Sequence, residues 1–358
     1  MISYLLNKTT YALLTLFGVV TVIFFLFNVL PGDPAQMMLG QNEDSEQLDL
    51  VKKKYGFDKP LSTQYLYYLN DLSPLSFHSQ KVSDYTYLSK GKYNAINLFI
   101  IGNRAIALKT PYLRESFTKQ GKKVTQVLGE TLPNTFVLAV SAIIIAIFIG
   151  ILLGIVSALF KDRWLDKAIQ VLSTLGMSVP SFFSAILFAW LFGFVLHEYT
   201  NLEMTGSLYE LDDFGEAMHI KWKNLILPAI VLGIRPLAVV IQLMRNSLLE
   251  VFNQDYIRTA RAKGLSEFQI IKRHAVKNAL NPVVTAISGW FASMLAGAVF
   301  VEYIFGWNGL GKEIVNALNT LDLPVIMGSV LVIATLFVMI NILVDLIYVW
   351  LDPKVKLQ

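Results

Sequence analysis

Long apolar runs separated by polar stretches are the main pattern along this chain. A bilayer core about 30 Å thick is crossed by roughly 20 apolar residues in a helix. Proline lies in or at the mouth of several runs, which membrane helices tolerate where neighbouring helices or water satisfy the freed backbone groups. The pattern predicts an all-α membrane protein with six transmembrane helices, at 10–30, 133–160, 168–196, 225–248, 282–302 and 325–351.

Composition supports lipid as the solvent. Charged residues make up 16% of the 358 residues and apolar residues 54%, whereas a soluble domain has about 25% charged residues. Cysteine is absent, which excludes disulfides and thiolate metal sites. Because the histidines are scattered without metal-ligand spacing, we expect neither a metal nor a cofactor on this chain. They are His78, His197, His219 and His274.

The first span and the basic residues predict the orientation. The span ends in LPGDPA, without a small-x-small cleavage site, so we interpret it as a retained helix rather than a cleaved signal peptide. Lys and Arg in short segments collect on the cytoplasmic side. With the N-terminus inside, thirteen of them lie inside and three outside. Both termini are therefore predicted to be cytoplasmic.

A polar and aromatic segment of about 100 residues follows the first span and is predicted to lie outside the membrane. Its first part indicates one or two short helices broken at Pro60. The stretch 73–110 has no clear period and fits either a small packed lobe or a mobile loop. The domains predicted are a first helix at 1–31, an extracytoplasmic segment at 32–131, a five-helix core at 132–351 and a tail at 352–358.

A basic cytoplasmic segment at 249–281 contains DYIRTARAKGLSEFQIIKRHAVKNAL. Its first stretch, 255–263, has no strong apolar stripe. A left-handed Gly264 can end one helix, and Ser266 can cap the next with Glu267 in its first turn. The residues expected on one apolar face of that helix are Phe268, Ile271 and Ala275. The segment fits either an amphipathic helix on anionic lipid or a docking element for a cytoplasmic partner.

This segment resembles the cytoplasmic loop of ABC-importer permeases, in which a Glu-Ala-Ala…Gly pattern occurs. The match falls on Arg258, Thr259, Ala260 and Gly264, with Arg at the Glu position. TARAKGLS is similar to the form found in the oligopeptide, dipeptide and nickel permease family. So are PGDPA, YGFDKPLSTQYLYYL, VTQVLGETLPNTFVLAV, SVPSF, VEYIFGWNGLG and NILVDLIYVWLDPKVK. Asn308 replaces a usual Pro, and about 73–110 looks like an insertion.

The resemblance implies a type I ABC importer permease fold and a non-catalytic subunit of the bacterial inner membrane. Its implied partners are a homologous second permease, an extracytoplasmic substrate-binding protein and two cytoplasmic ATPase subunits, which bind ATP and Mg. Peptides are the family's default substrate, with nickel, haem, glutathione and sugars entering through relatives. The insertion suggests a contact surface for the binding protein. The implied ATPase-coupling loop consists of Arg258, Thr259, Ala260, Gly264, Leu265, Ser266, Glu267 and Phe268.

Polar residues at membrane depth are candidates for a translocation path or gate, because ionisable groups there are costly. Arg235 precedes Pro236, which is expected to break the helix, and it could meet a substrate carboxylate or pair with Asp345, with the structural ion pair as the favoured interpretation. Glu302, at a predicted outer edge, could contact substrate, the binding protein or water. Ser288 and Ser293 complete the candidates. They lie in rows of small residues for which helix packing is the leading interpretation, as it is for Ala142, Ala146, Gly150, Gly154 and Ala158.

The stretch GWNGLGK at 306–312 resembles part of a phosphate loop, but Glu313 stands where a Ser or Thr would hold Mg²⁺. We therefore expect ATP to be used by another polypeptide. An ion-gradient-driven transporter is the main alternative, and it would favour inverted repeats with paired acids. An intramembrane enzyme would need a catalytic constellation within the spans. The sequence indicates neither feature.

Overall fold

The computed structural model describes residues 2–29, 35–36, 45–82, 84–89, 91–212, 215 and 217–351. The chain is mostly helical there. Four described helices are long and apolar enough to cross a membrane, and the number rises to six if two bent helix pairs each form one span. Most of the PGDPA signature and the predicted tail at 352–358 lie outside the described residues.

The helices alternate between long apolar segments and short polar ones. Two π-helical turns continue α-helices of the chain. Leu191–Val195 follows the helix Ser181–Trp190, and Ile271–Ala275 follows the helix Glu267–Ile270. In chain order the α-helices are α1 (Ile2–Val29), α2 (Ser45–Tyr55), α3 (Leu61–Leu72), α4 (Val124–Leu159), α5 (Trp164–Ser178), α6 (Ser181–Trp190), α7 (His197–Thr200), α8 (Lys223–Phe252), α9 (Asp255–Ala262), α10 (Glu267–Ile270), α11 (Val276–Gly297), α12 (Val299–Phe305), α13 (Leu310–Asn319) and α14 (Leu323–Leu351).

The prediction of an all-α fold is wrong, because described residues also form two β-sheets. The strands are β1 (Leu75–Ser79), β2 (Ala95–Ile101), β3 (Arg104–Lys109), β4 (Tyr209–Leu211) and β5 (Met218–Ile220). The first three form an antiparallel sheet in the order β1-β3-β2, with a bulge between Asn97 and Phe99, and β4 pairs with β5 as a hairpin. The sequence of β2 is almost entirely apolar and does not alternate between apolar and polar residues. It therefore lacks the period of two that would predict a strand.

The chain divides into two compact units. The helical unit comprises Met1–Thr10, Thr131–Val315 and Ile333–Gln358. The mixed unit comprises Tyr11–Glu130 and Asn316–Val332, and it contains the three-stranded sheet. Each unit has its own core, as expected for independently packed parts of a chain.

Two of the six predicted spans are bent rather than straight. The span predicted at 168–196 consists of α5 and α6, which meet at 110° around Val179 and Pro180. The span predicted at 282–302 combines α11 with α12 at 57°. Pro180 precedes the first residue of α6, where its missing N–H costs no helical hydrogen bond.

Pro236 does not break its helix, contrary to the prediction. The helix α8 runs without interruption from Lys223 to Phe252 and also contains Pro228. Small residues of α4 pack against it: a Cβ on Gly150 would stand 2.7 Å from Cγ1 of Val240. This contact supports the packing interpretation of the small residues in α4, because the missing side chains let two helices approach closely.

The stretch 73–110 is a packed lobe within the mixed unit, which favours one of the two alternatives for it. Its centre is the buried carboxylate of Asp71, which accepts hydrogen bonds from Tyr85 Oη at 2.8 Å and Tyr93 Oη at 3.0 Å. Arg114 Nε donates to the same carboxylate at 3.0 Å. Lys109 Nζ donates to the Asp71 main-chain carbonyl. A buried charge of this kind is tolerated because it is paired and hydrogen-bonded.

Candidate functional site

The segment between α8 and α11 forms the predicted helix–Gly–helix loop. Gly264 has φ of +77°, in the left-handed region that favours glycine, so the prediction of a left-handed Gly264 is confirmed. Ser266 begins α10 through a capping box: its Oγ accepts from Gln269 N, and Gln269 Oε1 accepts from Ser266 N. The two backbone donors at the start of α10 are therefore satisfied inside the loop.

One face of this loop is part of the apolar core of the helical unit. Ile257 and Ala260 of α9 are buried, together with Ile270 of α10. They share a core with Met244 and Leu248 of α8. The expectation that 255–263 lacks an apolar stripe is therefore wrong. Two residues one turn apart are enough to bury one side of so short a helix.

The other face of the loop is exposed. Phe268 has 72% of its surface accessible, so it does not lie on the buried face with Ile271 and Ala275 as predicted. The change to π-helical geometry at 271–275 shifts the spacing, and Ile270 takes the buried position instead. Arg258 and Thr259 also point to the exposed side.

An ion pair closes the loop across Gly264. Arg261 donates from Nε to Glu267 Oε1 at 2.9 Å and from Nη2 to Oε2 at 3.3 Å. Leu265 N donates to Ala260 O at 3.3 Å, which holds the turn against the end of α9. Exposed pairs of this kind contribute little to stability.

Arg235 and Ser293 are brought together, whereas the other candidates for a translocation path lie elsewhere. Both line a cavity of 100 Å³ in the helical unit. Arg235 Nη2 makes a long hydrogen bond, 3.5 Å, to the carbonyl of Val179. Arg235 does not pair with Asp345, contrary to one hypothesis, because Asp345 pairs with Lys8.

The Ser288 hydroxyl is hydrogen-bonded within its own helix. Its Oγ donates to Val284 O at 2.9 Å on the same helix, α11. A bond of this type keeps a serine polar group within a membrane helix without a partner helix. Ser288 is partly buried and does not line the cavity that contains Arg235.

Glu302 is fully buried rather than at a water-exposed edge, which corrects the prediction for it. Its Oε2 accepts from Gly311 N at 2.6 Å and from Lys312 N at 3.3 Å. A Cβ on Gly309 would collide with the Glu302 carboxyl group, and one on Gly311 with the backbone of Val299. Gly309 is therefore required by the buried carboxylate, and Gly311 by the close approach of the Val299 backbone.

This arrangement also explains the phosphate-loop-like stretch at 306–312. Gly311 and Lys312 are the second and third residues of α13, where exposed N–H groups and the helix dipole favour an anion. The Glu302 carboxylate already occupies that position. Asn308, the departure from the family pattern, donates its N–H to Ser207 Oγ at 3.0 Å, a bond that proline could not make.

The sequence did not predict an ion pair between α5 and α8, which a hydrogen bond also connects to α4. Asp166 accepts from Arg245 Nε at 2.8 Å and Nη2 at 2.6 Å, a bidentate geometry. Ser157 Oγ and the backbone N–H of Asp162 donate to the same carboxylate at 2.5 and 2.9 Å. A bidentate pair between residues 79 apart leaves no local sequence signal.

Within the described part of the chain, no group of three or more His, Asp or Glu side chains has a metal-binding arrangement. The buried acids described above, Asp166 and Glu302, are instead held by arginine, hydroxyl or backbone N–H donors. The helical unit therefore offers a loop with one buried and one exposed face, and a small cavity whose wall includes polar side chains.

Comparison with known proteins places these features in a wider group. A family model described as "Binding-protein-dependent transport system inner membrane component" matches residues 150–357. A second, described as "Binding-prot-dependent transport system membrane comp, N-term", matches residues 1–84. Both the exposed loop and the cavity lie inside the first match.

Curated relatives match over nearly the whole chain. The "Dipeptide transport system permease protein DppB" of Alkalihalophilus pseudofirmus is 32% identical over 99% of this chain and 100% of its own length. A "Putative peptide permease protein" of Brucella suis biovar 1 is 33% identical over 99% of both chains. A solved structure described as "Inward facing conformations of the MetNI methionine ABC transporter" aligns with a TM-score of 0.49 at 17% identity, over 63% of this chain and 95% of that chain. This last likeness is too distant to add to the comparison.

Proposed function

The chain belongs to the family of binding-protein-dependent transport system inner membrane components, and from this we propose that it imports peptides as the permease subunit of an ABC importer. Partner ATPases would supply the energy, and the helices of this chain would alternate between inward- and outward-open states. The relatives named as peptide and dipeptide permeases support the substrate class. Their coverage of both chains supports a transfer of the whole function rather than of one domain.

The observation that carries this proposal is the two-faced loop at 255–275. Its buried face belongs to the same core as α8 and α11, so a displacement of the loop would reach α8, which is long and apolar enough to span the membrane. Its exposed face presents Phe268, Arg258 and Thr259 to a partner. An ATPase that binds the loop differently in its open and closed forms would shift the balance between transport states.

The exposed side chains of the loop include an aromatic residue and an arginine, which is typical of a protein interface. Tyr, Trp, Phe and Arg are enriched where proteins meet. A lipid-binding helix needs a long apolar face, whereas α10 has four residues and buries Ile270 inside the protein. We therefore favour ATPase docking over lipid adsorption for the loop, with Leu265, Ser266 and Glu267 shaping the turn that presents Phe268.

For the translocation path we propose Arg235 and Ser293, which share the 100 Å³ cavity. A guanidinium next to a hydroxyl suits the carboxylate of a passing peptide. We assign Glu302 and Asp345 structural roles, because each has a charged or backbone partner in the chain. Ser288 stays a weaker candidate, since it lines no part of this cavity.

The implied partners follow from the same proposal. A permease of this kind would act in the bacterial inner membrane with both termini in the cytoplasm. It would pair with a second permease chain and with two ATPase subunits that bind ATP and Mg. A substrate-binding protein would deliver peptide from outside, with the mixed unit as its contact surface. An ion-gradient-driven transporter is the alternative, and ATP-dependent uptake distinguishes the two.

The test compares two glycines with matched backbone strain. Gly264 and Gly102 have φ of +77° and +59°, and a Cβ on either would meet nothing within 4 Å. Alanine at each should therefore impose a similar conformational penalty, about 1–2 kcal/mol. We would co-purify each variant with its partner ATPase subunits and measure ATP-driven peptide uptake in proteoliposomes, with Gly264→Glu as a stronger variant.

We expect Gly264→Ala to lose uptake and Gly264→Glu to lose ATPase subunits from the complex. Gly102→Ala, in the turn between β2 and β3, should retain both. Equal loss in the two alanine variants would show general destabilisation rather than a coupling role for the loop. Failure of the intact chain to retain any ATPase would refute the ABC assignment in favour of an ion-driven transporter.

A further inference from the structure

A cavity of 430 Å³ opens in the mixed unit. Its volume lies in the range of about 300–1,000 Å³ that is typical of small-molecule sites. None of its lining residues belongs to the coupling loop or to the cavity around Arg235. Aromatic side chains form much of its wall, and they include Tyr55, Phe57, Tyr85 and Phe117.

The aromatic walls are held in place by contacts with one another. Tyr55 stacks on Phe57, with ring centroids 5.9 Å apart, and Phe117 meets Phe57 edge to face at 5.9 Å. Tyr85 stacks on Tyr67 at 5.2 Å and donates its hydroxyl to Asp71. Aromatic pairs favour stacked or edge-to-face geometry. Rings that are already held in place can bind the ring of a ligand in such a geometry without having to rearrange.

One wall of the cavity carries a partly desolvated cation. Lys92 Nζ lies 3.5 Å from the centroid of the Tyr85 ring and donates to the Tyr85 carbonyl at 2.8 Å. An ammonium can donate three hydrogen bonds. Within the described part of the chain, Lys92 Nζ donates one, to the Tyr85 carbonyl. Burial lowers the pKa of Lys92 to about 8. An anion next to this ammonium would relieve the cost of burying its charge.

The other charged groups of the wall narrow the choice of ligand. Arg114, the second cation, is already bonded to the buried carboxylate of Asp71 at 3.0 Å. Asp84 and Glu115 also line the cavity. The negative charges of Asp84 and Glu115 repel phosphates and other polyanions. A ligand with a single carboxylate is still compatible with the cavity, because Lys92 can neutralise one negative charge. A cationic ligand is disfavoured as well, because Lys92 itself occupies the position over the Tyr85 ring where a cation would bind.

We propose that this cavity binds a small aromatic carboxylate, with its ring between the Tyr and Phe walls and its carboxylate on Lys92. Amino acids and short peptides with an aromatic end have this chemistry. The proposal is independent of the coupling loop, so binding here would survive a failure of the transport assignment. It assigns to the outer segment a ligand site in addition to any protein contact.

The test uses the purified full-length chain in nanodiscs and N-acetyl-L-phenylalanine as the probe, with binding measured by ligand-observed NMR titration. Two further compounds separate the ring from the charge: N-acetylglycine lacks the ring, and N-acetyl-L-phenylalanine amide lacks the carboxylate. Phenethylamine carries the opposite charge. We expect the first probe to bind at least about tenfold more tightly than any of the others, because each of the others lacks either the ring or the carboxylate.

Variants locate the binding in the cavity. Lys92→Met should weaken binding about tenfold or more, and Lys92→Arg should restore most of it because the charge is kept. Val82→Trp, at an exposed position on the wall, should block the cavity without disturbing the core. The matched control is Arg104→Gln, which removes an exposed positive charge from β3 outside the cavity.

Tighter binding of phenethylamine than of the acetylated phenylalanine would overturn the proposal, and so would equal binding of the amide. Wild-type affinity in Val82→Trp would place the binding elsewhere and would also overturn it. Thermal unfolding of each variant separates loss of the site from loss of the fold, and Lys92→Arg keeps the proposal testable if Lys92→Met unfolds.

Discussion

The Asp166–Arg245 pair gives the sharpest energetic prediction. The side chains of Asp166 and Arg245 are 3% and 17% exposed, and their guanidinium–carboxylate contacts are 2.8 and 2.6 Å. Removing one partner of a buried pair costs about 3–5 kcal/mol, because the other charge stays buried without compensation. Asp166→Asn and Arg245→Met should each lower the free energy of unfolding by about this amount.

The double variant should be much less destabilised than the sum of the two single variants. In Asp166→Asn the amide oxygen can still accept from the backbone N–H of Asp162, and the amide NH2 can donate to Ser157 Oγ. We expect a coupling energy at the upper end of the range of about 0.5–3 kcal/mol seen for directly interacting residues. The assay is equilibrium unfolding of the purified chain in dodecyl maltoside with increasing SDS, followed by far-UV circular dichroism.

The chain contains a matched exposed pair as the control. Arg258 and Asp255 are 3.4 Å apart, with side chains 72% and 95% exposed. The same double-mutant cycle there should give less than about 0.5 kcal/mol, because solvent screens exposed charges. A coupling energy for Asp166–Arg245 as small as that of this exposed pair would refute the conclusion that it fastens α5 to α8.

Three other predictions follow from separate contacts. Gly311→Ala should destabilise the chain by about 1–3 kcal/mol through overpacking against Val299, measured by the same unfolding assay. Ile257→Ala should cost about 2–5 kcal/mol because its side chain is fully buried, whereas Phe268→Ala should change stability by less than about 0.5 kcal/mol yet weaken ATPase retention on co-purification. Because burial lowers the pKa of Lys92 to about 8 from the usual 10.5, the folded chain releases that proton first, so unfolding free energy should rise from pH 8 towards pH 10. Lys92→Met should flatten that rise in a pH series of thermal unfolding.

The coupling loop shows what a local pattern can predict. The left-handed glycine and the serine cap depend on neighbouring residues, and both were predictable from the sequence. The buried face was not, because it depends on which side of α9 and α10 meets α8. The π-helical turn at 271–275 moves Ile270 inside and Phe268 outside, and a helical period of 3.6 does not anticipate that shift.

The outer segment shows the opposite case. Two helices separated by Pro60 were predictable, and α2 and α3 lie on either side of it. The sheet was not, because β1 and β3 pair over a separation of about thirty residues and β2 has no alternation of apolar and polar positions. The Asp71 network is equally non-local. Its donors, Tyr85, Tyr93 and Arg114, come from three separate stretches of chain.

The rule that ionisable groups in membrane spans are functional becomes more selective once their partners are known. Glu302 is bonded to the backbone of α13, and Asp345 is paired with Lys8. Each of these groups can lower the cost of its burial within the chain. Arg235 differs, since its described hydrogen bond is a single 3.5 Å contact with the Val179 carbonyl. A guanidinium on a cavity wall that keeps further N–H donors can bind an external carboxylate. Arg235 is therefore the first residue to test for substrate recognition in the membrane.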